Sequence, residues 1–505
     1  MDQYKQLEWH PTDNYIHSDG PVRVVLEDAI THAKTIITAD DIDGSPTGDI
    51  IVKGKIKLER AEGLTQGTII GRALTYRYMS RTGVVLDATA QLERALLTGE
   101  KIEIREDQSL RALQAYFTTC TAPRPHFHIT AREITVNNKR TVTAKHVTFW
   151  LGRTRIVTLP SIRKSFSKGV ENPIPLPGYS KENLIQFRLK NDLVEQPNRL
   201  FNYDVVIGLK RTPQAAFIYE TDLGKPDEDA SPPRTRKFST AEPLRSALES
   251  SPPLLVGSLP EDQTKRASFY TIASTGSFVF NRQRTDLRVA RFPEIGVSFR
   301  NILNRTQPTL GDQPKSAFGV GFISPANWFV NAELGLGYFQ EQPTHTRSTR
   351  LGFRTDATSP LFRVAGPLYA RYGGTLWSNV YDQDKTYTLI APESELVYLL
   401  RANTLIGAAF KHQFDFGTSP FVFDRLDVAN ELRLRYGFVG ANWAYDAVVK
   451  YDISHFRAYD NIFGIRRRLD CLEYGVQYRT RNQGFSLVLN LLPGPKKENV
   501  QGSTR

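Results

Sequence analysis

From about residue 182 to residue 492 the chain alternates apolar and polar residues with a period of two. Phe201, Tyr203, Val205, Ile207 and Leu209 fall on one side, Asn202, Asp204, Gly208 and Lys210 on the other. Leu432, Leu434, Tyr436 and Phe438 oppose Glu431, Arg433, Arg435 and Gly437. Trp443, Tyr445, Ala447, Val449, Tyr451 and Ile453 oppose Asp446, Lys450 and Asp452. Leu472, Tyr474, Val476 and Tyr478 oppose Glu473, Gln477 and Arg479, and Phe485, Leu487, Leu489 and Leu491 end the series. Period two places each set on one face of a sheet. A soluble sheet also alternates, so one such strand means little. Here the second face is charged in strand after strand, and Tyr or Trp closes the apolar face, as at Trp443 and Tyr451. That predicts an antiparallel transmembrane β-barrel of about 14–18 strands, with an apolar outer band, aromatic girdles and a polar lumen. A soluble β-barrel, β-helix or propeller competes, but such folds fill one face with a core and seldom repeat aromatic ends.

No helix spans a membrane. Apolar runs are short, Leu405–Phe410 for example being six residues, and a spanning helix needs about 20. Barrel strands escape that criterion because they alternate. No signal peptide is visible, since Met1-Asp2-Gln3-Tyr4 leads into polar, turn-rich sequence. Either the protein is not exported, or the leader was trimmed or the start misassigned. With 40% hydrophobic and 11% aromatic residues, the 505-residue chain has enough to bury a core. At about 150 residues per domain it holds three domains, or two larger ones. Lys+Arg 65 against Asp+Glu 53 gives a formal +12. That favours an anionic partner: nucleic acid, phospholipid head groups or a phosphorylated glycolipid. The excess is spread along the chain.

The rest is also β-rich. Val, Ile, Thr, Tyr and Phe stand between Gly, Asn, Asp and Pro turns, an all-β pattern. Short helix candidates are Leu7–His10, Asp107–Thr118 and Ala241–Glu249. Residues 22–160 carry a repeat. Thr47-Gly48 precedes Leu58-Glu59-Arg60 as Thr82-Gly83 precedes Leu92-Glu93-Arg94. Val142-Thr143-Ala144-Lys145-His146-Val147 resembles Val52-Lys53-Gly54-Lys55-Ile56. Each unit reads strand, Gly-containing turn, strand. Stacked β units bury one continuous core, so an open or V-shaped β-roll is expected more naturally than a sandwich. Pro160, Pro173, Pro175, Pro177 and Gly178 mark 161–181 as a linker. Residues 225–265, with Pro226, Pro232-Pro233, Pro252-Pro253 and Pro260, read as a long loop or a plug. The expected order is an N-terminal segment (1–21), the β-roll (22–160), the linker, the barrel (182–492) and a C-terminal tail (493–505).

Two cysteines, Cys120 and Cys471, exclude a Cys-only zinc cluster. They are either two unrelated buried thiols or one long-range disulfide in an oxidising compartment. No G-x-S-x-G, H-E-x-x-H, P-loop or G-x-G-x-x-G after a strand occurs, so no enzyme activity and no cofactor is expected. His126-Phe127-His128 puts two imidazoles on one strand face, but strand histidines at a loop edge are usually solvated, and no metal is expected. Arg466-Arg467-Arg468 is a basic run that suits a phosphate contact, and better a polar lumen or a loop. The aromatic strands lack the stacking platform of an RNA-recognition module, which argues against nucleic acid.

The chain resembles the LptD/OstA family of outer-membrane lipopolysaccharide-assembly proteins. Ile37-Thr38-Ala39-Asp40-Asp41-Ile42, Gly48 and Val52-Lys53-Gly54 resemble the OstA-type β-jellyroll. Thr118-Thr119-Cys120, followed by Phe127-His128-Ile129-Thr130-Ala131-Arg132-Glu133-Ile134, resembles the family's cysteine before the last jellyroll turns. Phe149-Trp150-Leu151 with Ile156-Val157-Thr158-Leu159-Pro160 resembles the lead into the barrel. Arg291-Phe292-Pro293-Glu294-Ile295 and Arg468-Leu469-Asp470-Cys471-Leu472-Glu473-Tyr474 resemble barrel motifs. The likeness spans about residues 22–492, and the two cysteine contexts are its most specific part.

The resemblance implies an outer-membrane protein with its jellyroll in the periplasm. It would take lipopolysaccharide, or a related glycolipid, from a periplasmic OstA-like bridge protein and insert it into the outer leaflet. A plug lipoprotein and outer-membrane lipids are the other implied partners. Ile37, Ile42, Ile56, Leu58, Ile69, Leu74, Ile104 and Ile134 are candidates for the groove that holds acyl chains. Arg433, Arg435, Lys450, Arg466 and Arg479 are candidates for facing the anionic head group in the lumen. Lateral release is expected between the first and last strands, read as Leu184–Leu189 and Phe485–Leu491. In this context Cys120 and Cys471 are expected to form one interdomain disulfide, contributing about 4–5 kcal/mol by closing so long a loop. The rival functions are a porin-like passive channel, a soluble structural β-repeat protein, and an enzyme embedded in a barrel, for which no catalytic pair can be named.

Overall fold

The computed structural model is all-β. It describes the chain except residues 1–7, 11–14, 28–33, 46–47, 61–66, 78–79, 93–94, 121, 138–140, 166–169, 172–176, 182, 197, 211–212, 225–253, 256–265, 279–286, 304–321, 324–327, 402, 441, 470, 482 and 492–505. Two units are distinguished: Met1–Ile174 with Leu469–Glu473 and Leu489–Arg505, and Pro175–Arg468 with Tyr474–Val488.

The first unit contains β1 (Glu8–His10), β2 (Tyr15–Glu27), β3 (Lys34–Gly44), β4 (Asp49–Arg60), β5 (Gly67–Arg77), β6 (Thr82–Leu92), β7 (Ala95–Ile104), β8 (Leu110–Thr118), β9 (Phe127–Val136), β10 (Thr141–Leu151) and β11 (Thr154–Ser165). They form one eleven-stranded antiparallel meander in chain order. Each hairpin pairs with its neighbour because the turns between strands are short and the alternation is strong.

The strands share an interruption near mid-length. In β6 the buried residues are Val85 and then Ala88 and Ala90, with Leu86 and Asp87 facing out. In β8 they are Leu110 and Ala112, then Ala115 and Phe117, around an exposed Gln114. In β9 the inserted residue is Arg132, and in β10 His146. The pairing skips at the same places, as from Lys145–Glu133 to Val147–Ala131. Asp87, Gln114 and His146 sit at φ 47°, 46° and 51°, and Gly54 at φ 85° in β4. One extra residue per strand is a β-bulge, which bends the strand. It also shifts the alternation by one, so the apolar residues on both sides of the bend stay on one face. That face is enclosed: Ile37, Leu58, Val85, Leu97, Ile102 and Ile134 are 0% exposed. A single sheet covers its own face only by curling over it.

Two helix candidates are corrected here. Leu7–His10 falls at strand β1, and Asp107–Thr118 is a turn followed by strand β8. The bulge at Gln114 explains the misreading. It leaves Leu110, Leu113 and Phe117 at helix-like spacing, although the backbone is extended. Ala241–Glu249 lies outside the described residues. The sheet also begins before residue 22 and runs beyond 160.

The barrel strands are β12 (Val170–Glu171), β13 (Pro177–Ser180), β14 (Leu184–Gln196), β15 (Arg199–Gly208), β16 (Gln214–Asp222), β18 (Arg266–Phe278), β19 (Arg288–Arg300), β21 (Phe329–Gln342), β22 (Arg347–Thr358), β23 (Phe362–Ala365), β24 (Leu368–Tyr381), β25 (Thr386–Arg401), β26 (Thr404–His412), β27 (Phe414–Gly417), β28 (Asn430–Val439), β29 (Trp443–Asp452), β30 (Arg457–Arg468), β31 (Leu472–Arg479) and β32 (Gly484–Leu491). They close into an antiparallel barrel, β13 pairing with both β14 and β32. Three of these strands are interrupted pairs that share a neighbour: β12 with β13 on β32, β22 with β23 on β24, and β26 with β27 on β25. The barrel therefore has 16 strands, within the expected range. Two short segments, β17 (Leu254–Leu255) and β20 (Phe322–Ile323), pair with each other. The rest of 225–265, and its role as loop or plug, lies outside the described residues.

Burial in the barrel is inverted. Arg371, Glu395, Glu431, Asp452 and Asp460 are at most 2% exposed, whereas Leu396, Ile406, Leu434 and Tyr436 are 41–51% exposed. Water-soluble proteins do the opposite.

One boundary is corrected. Residues 161–181, expected as a linker, hold the end of β11 and the first barrel strand, β12 and β13. The prolines disguised it, since proline is tolerated at the start of a strand, and Pro177 opens β13. The barrel therefore closes between β13 and β32, and Leu184–Leu189 belongs to the second strand.

Candidate functional site

The enclosed face of the meander is an apolar interior. Ile37 and Ile42 lie on β3, Ile56 and Leu58 on β4, Ile69 and Leu74 on β5, Ile104 on β7 and Ile134 on β9, each at most 4% exposed. They alternate with exposed Lys53, Lys57, Thr75 and Arg77. All eight sequence candidates thus share one face. The same face holds Val85, Leu97, Phe117, Phe127 and Phe149, which sequence reasoning left out. Phe127 and Phe149 stack at 6.1 Å. Their signal was present as alternation, but each bulge breaks the count. Among the described residues of 8–165, the buried polar side chains are the hydroxyls of Ser18, Ser109, Thr118, Thr119 and Thr141.

The outward face is polar. Arg111 bridges Glu103 at 3.2 Å and Glu133 at 2.7 Å, and Lys145 reaches Glu133 at 3.1 Å. The Arg111 hydrogen bond holds the Glu133 carboxyl below the usual carboxylate range. Tyr116, His128 and Trp150 form a ladder, with ring centroids 4.7 and 5.7 Å apart. Burial there pushes the His128 imidazole down.

Cys120 and Cys471 form a disulfide with Cα atoms 5.1 Å apart. Cys471 lies in the connection between β30 and β31 and belongs by its packing to the first unit. Thr118 fixes the approach, its Oγ1 accepting from the Cys120 N–H at 3.0 Å and donating to the Phe127 carbonyl at 2.7 Å. His126 precedes β9 and turns to the sulfurs, with Nδ1 3.7 Å from Cys120 Sγ and 3.5 Å from Cys471 Sγ. The expectation that His126 and His128 share a strand face is corrected. His126 stands before the strand, where alternation does not apply, and His128 is in the aromatic ladder.

The five lumen candidates are each paired with a carboxylate. Arg433 lies 3.5 Å from Glu393 and 3.4 Å from Glu431, and Arg435 4.0 Å from Glu395. Lys450 and Arg479 meet Asp460 at 3.9 and 2.6 Å, and Arg466 meets Asp446 at 3.0 Å. Arg371–Glu395 and Lys411–Glu431 continue the network at 2.5 and 3.6 Å. Arg467 turns the other way, over the Trp443 ring at 5.4 Å. Sequence reasoning placed Glu431 and Asp446 on the charged face without pairing them, and missed Glu393, Glu395 and Asp460, which lie on other strands.

It also missed the connection 418–429, which folds into the lumen. Phe421 and Phe423 are 0% and 3% exposed and pack against Phe339, Tyr381 and one another. Asp424, 0% exposed, accepts from Arg350 Nη1 at 2.9 Å and from the Tyr381 hydroxyl at 2.6 Å. The Arg350 guanidinium lies 4.1 Å from the Phe339 ring centroid. Two backbone N–H groups of the loop are also held, Phe423 by Glu341 and Leu426 by the Tyr387 hydroxyl, both at 2.8 Å.

No protein-family model and no characterised protein sequence matches the chain. Among solved structures, the outer-membrane channel DcaP of Acinetobacter baumannii is similar at 10% identity and a TM-score of 0.24, covering 77% of this chain and 86% of that one. The outer-membrane protein OmpT of Vibrio cholerae is similar at 9% identity and a TM-score of 0.20, covering 64% of this chain and 95% of that one. A loop-deletion mutant of OmpT gives 8%, 0.18, 78% and 90%. Likeness this loose carries no argument about what the present chain does.

Proposed function

We propose that this protein sits in an outer membrane and moves lipopolysaccharide, or a related glycolipid, into the outer leaflet. The observation that carries the reading is the pairing, in one chain, of an inside-out closed barrel with a curled sheet whose apolar face is wholly enclosed. Exposed Leu, Ile and Tyr around buried ion pairs suit a hydrocarbon solvent outside the barrel. The N-terminal sheet is read as an OstA-like jellyroll in the periplasm, fed by a bridge protein. Its interior offers acyl chains a path out of water, where each buried CH₂ is worth about 0.8 kcal/mol. No catalytic step is needed.

Release is assigned to the seam. Among the described residues, β32 pairs with the first strand only at Gly178–Ser486, Tyr179–Phe485, Val170–Leu491 and Glu171–Asn490. The first and last strands are joined there by no hairpin, so a barrel can part at this closure without straining a chain connection. The passive-channel alternative fits less well, because Arg433, Lys450 and Arg479 are paired and the 418–429 loop packs against Phe339, Arg350 and Tyr381 inside the barrel. A plug lipoprotein remains part of the reading as a partner.

The test places photo-crosslinkable residues at Ile42, Ile56 and Ile134 in native cells. Glycolipid adducts from the outer-membrane fraction are expected. Outer-membrane residence without adducts at any site would turn the assignment to a channel, and a cytoplasmic protein would overturn it altogether.

A further inference from the structure

We propose that Cys120, Cys471 and His126 are a three-ligand site for a soft divalent cation, open only when the disulfide is reduced. The cation and the disulfide are then alternative occupants of one place.

The argument is geometric. A tetrahedral centre with metal–sulfur bonds of about 2.3 Å and metal–nitrogen bonds of about 2.0–2.1 Å holds sulfur and nitrogen about 3.6 Å apart. His126 Nδ1 stands 3.5 Å from Cys471 Sγ and 3.7 Å from Cys120 Sγ. The imidazole is therefore already at ligand-edge distance from both sulfurs. Only the sulfurs must part, to about 3.8 Å, and breaking their bond does that. The Cα separation of 5.1 Å leaves them facing one centre.

The surroundings favour a cation over two free thiols. Cys120 and Cys471 are 5% and 0% exposed, while His126 is partly exposed and gives solvent a fourth position. Buried thiolates need a compensating charge, which a divalent ion supplies. The ring's backbone is anchored, its N–H on Cys120 Sγ at 3.5 Å and its carbonyl accepting from Gly152 N at 2.7 Å. Nδ1 binds through its lone pair, so the ring proton sits on Nε2.

The chemistry balances with a dithiol reductant. Its two S–H groups become one S–S bond, and the protein's S–S bond takes the two electrons and two protons to become two thiols. The divalent ion then displaces both thiol protons into solvent, leaving a neutral centre of two thiolates, one imidazole and water.

The test uses the full chain in detergent micelles, reduced with a phosphine that is then removed, and cobalt(II) as probe. Folding is followed by the heat-modifiable gel mobility of the barrel. Reduced protein is expected to bind one cobalt, with a thiolate charge-transfer band and tetrahedral ligand-field bands; oxidised protein is expected to show neither. His126→Ala and His126→Gln should weaken binding at least about tenfold, since even outer-shell partners are worth 10–100-fold. Zinc(II) should displace the cobalt and slow re-formation of the disulfide. The proposal is overturned if folded, reduced protein shows no charge-transfer band. It is equally overturned if both His126 variants bind as tightly as the unaltered chain, or if oxidised protein binds as well as reduced.

Discussion

Asp424→Ala tests whether the 418–429 loop closes the barrel. Asp424 is fully buried and accepts from Arg350 and Tyr381. Removing one partner of a buried, hydrogen-bonded ion pair costs about 3–5 kcal/mol, because the other charge is stranded. Arg350 would keep aromatic contacts, with Phe339 at 4.1 Å, Trp377 at 5.5 Å and Phe423 at 5.7 Å, but lose its carboxylate. The loop loses that energy when docked and nothing when released. At about 1.4 kcal/mol per decade, the released fraction rises by about two to three and a half orders of magnitude. Arg425, exposed on the same loop, gives a direct readout, since proteolysis of a transiently opened segment tracks the population of the open form. Trypsin cleavage at Arg425 should accelerate by that factor, and openings should appear in planar-bilayer recordings. Arg350→Met with Asp424→Leu removes both charges and should restore protection, because such paired replacement is near neutral. An unchanged cleavage rate in Asp424→Ala would refute the reasoning that this pair pins the loop.

Four further outcomes follow from the structure. Leu58→Ala, at 0% exposure, should destabilise the N-terminal unit by about 2–5 kcal/mol, read as a lower denaturant midpoint for proteolysis within residues 8–165. Cys120→Ser should abolish the mobility difference between non-reducing and reducing gels and cost about 4–5 kcal/mol. Glu133 has a folded pKa depressed by Arg111; its contribution is present above the unfolded carboxylate value of about 4.3 and is lost as pH falls through the folded one. Glu133→Gln should therefore flatten the acid limb of the stability profile and leave the neutral plateau lower. Gly54→Ala should destabilise β4, because φ there is 85° and a Cβ would stand 2.5 Å from Asp40 Oδ2; an unchanged melt would count against a required glycine.

Period-two alternation was the legible part of this chain. It needs only the sequence, and in the second unit it was sufficient to give a barrel, its outer face and its strand range. Where alternation is interrupted, legibility fell. The bulges at Asp87, Gln114, Arg132 and His146 shift the buried phase by one residue, so β8 looked helical and most of the enclosed face went unlisted. The likeness between Val52–Ile56 and Val142–Val147 is in physical terms a likeness of bulges, since Gly54 and His146 both sit at positive φ. Proline concealed the first barrel strand in the same way. Contacts across strands were the least legible. Nothing local to Arg433 announces Glu393, forty residues away, and nothing in Ser419–Ala429 announces a loop that folds inward, except its Phe-Val-Phe.

The paired lumen bears on the two membrane readings. A conducting pore needs fixed charges that face water and remain available to ions. Arg433, Lys450 and Arg479 have carboxylate partners within 4 Å, and Arg433 and Lys450 are at most 6% exposed. Buried pairs of this kind contribute little net stability, since desolvation offsets their attraction. Their effect is to cross-link inward-facing strands from β24 to β31 through side chains as well as backbone. A wall cross-linked over one arc yields more readily outside it when strained. The closure between β13 and β32 lies outside that arc, and under the transport proposal it is the place to test for cargo. Cysteines at Gly178 and Ser486, which face each other across the closure, would lock it; a locked barrel that still delivers glycolipid to the outer leaflet would rule the seam out.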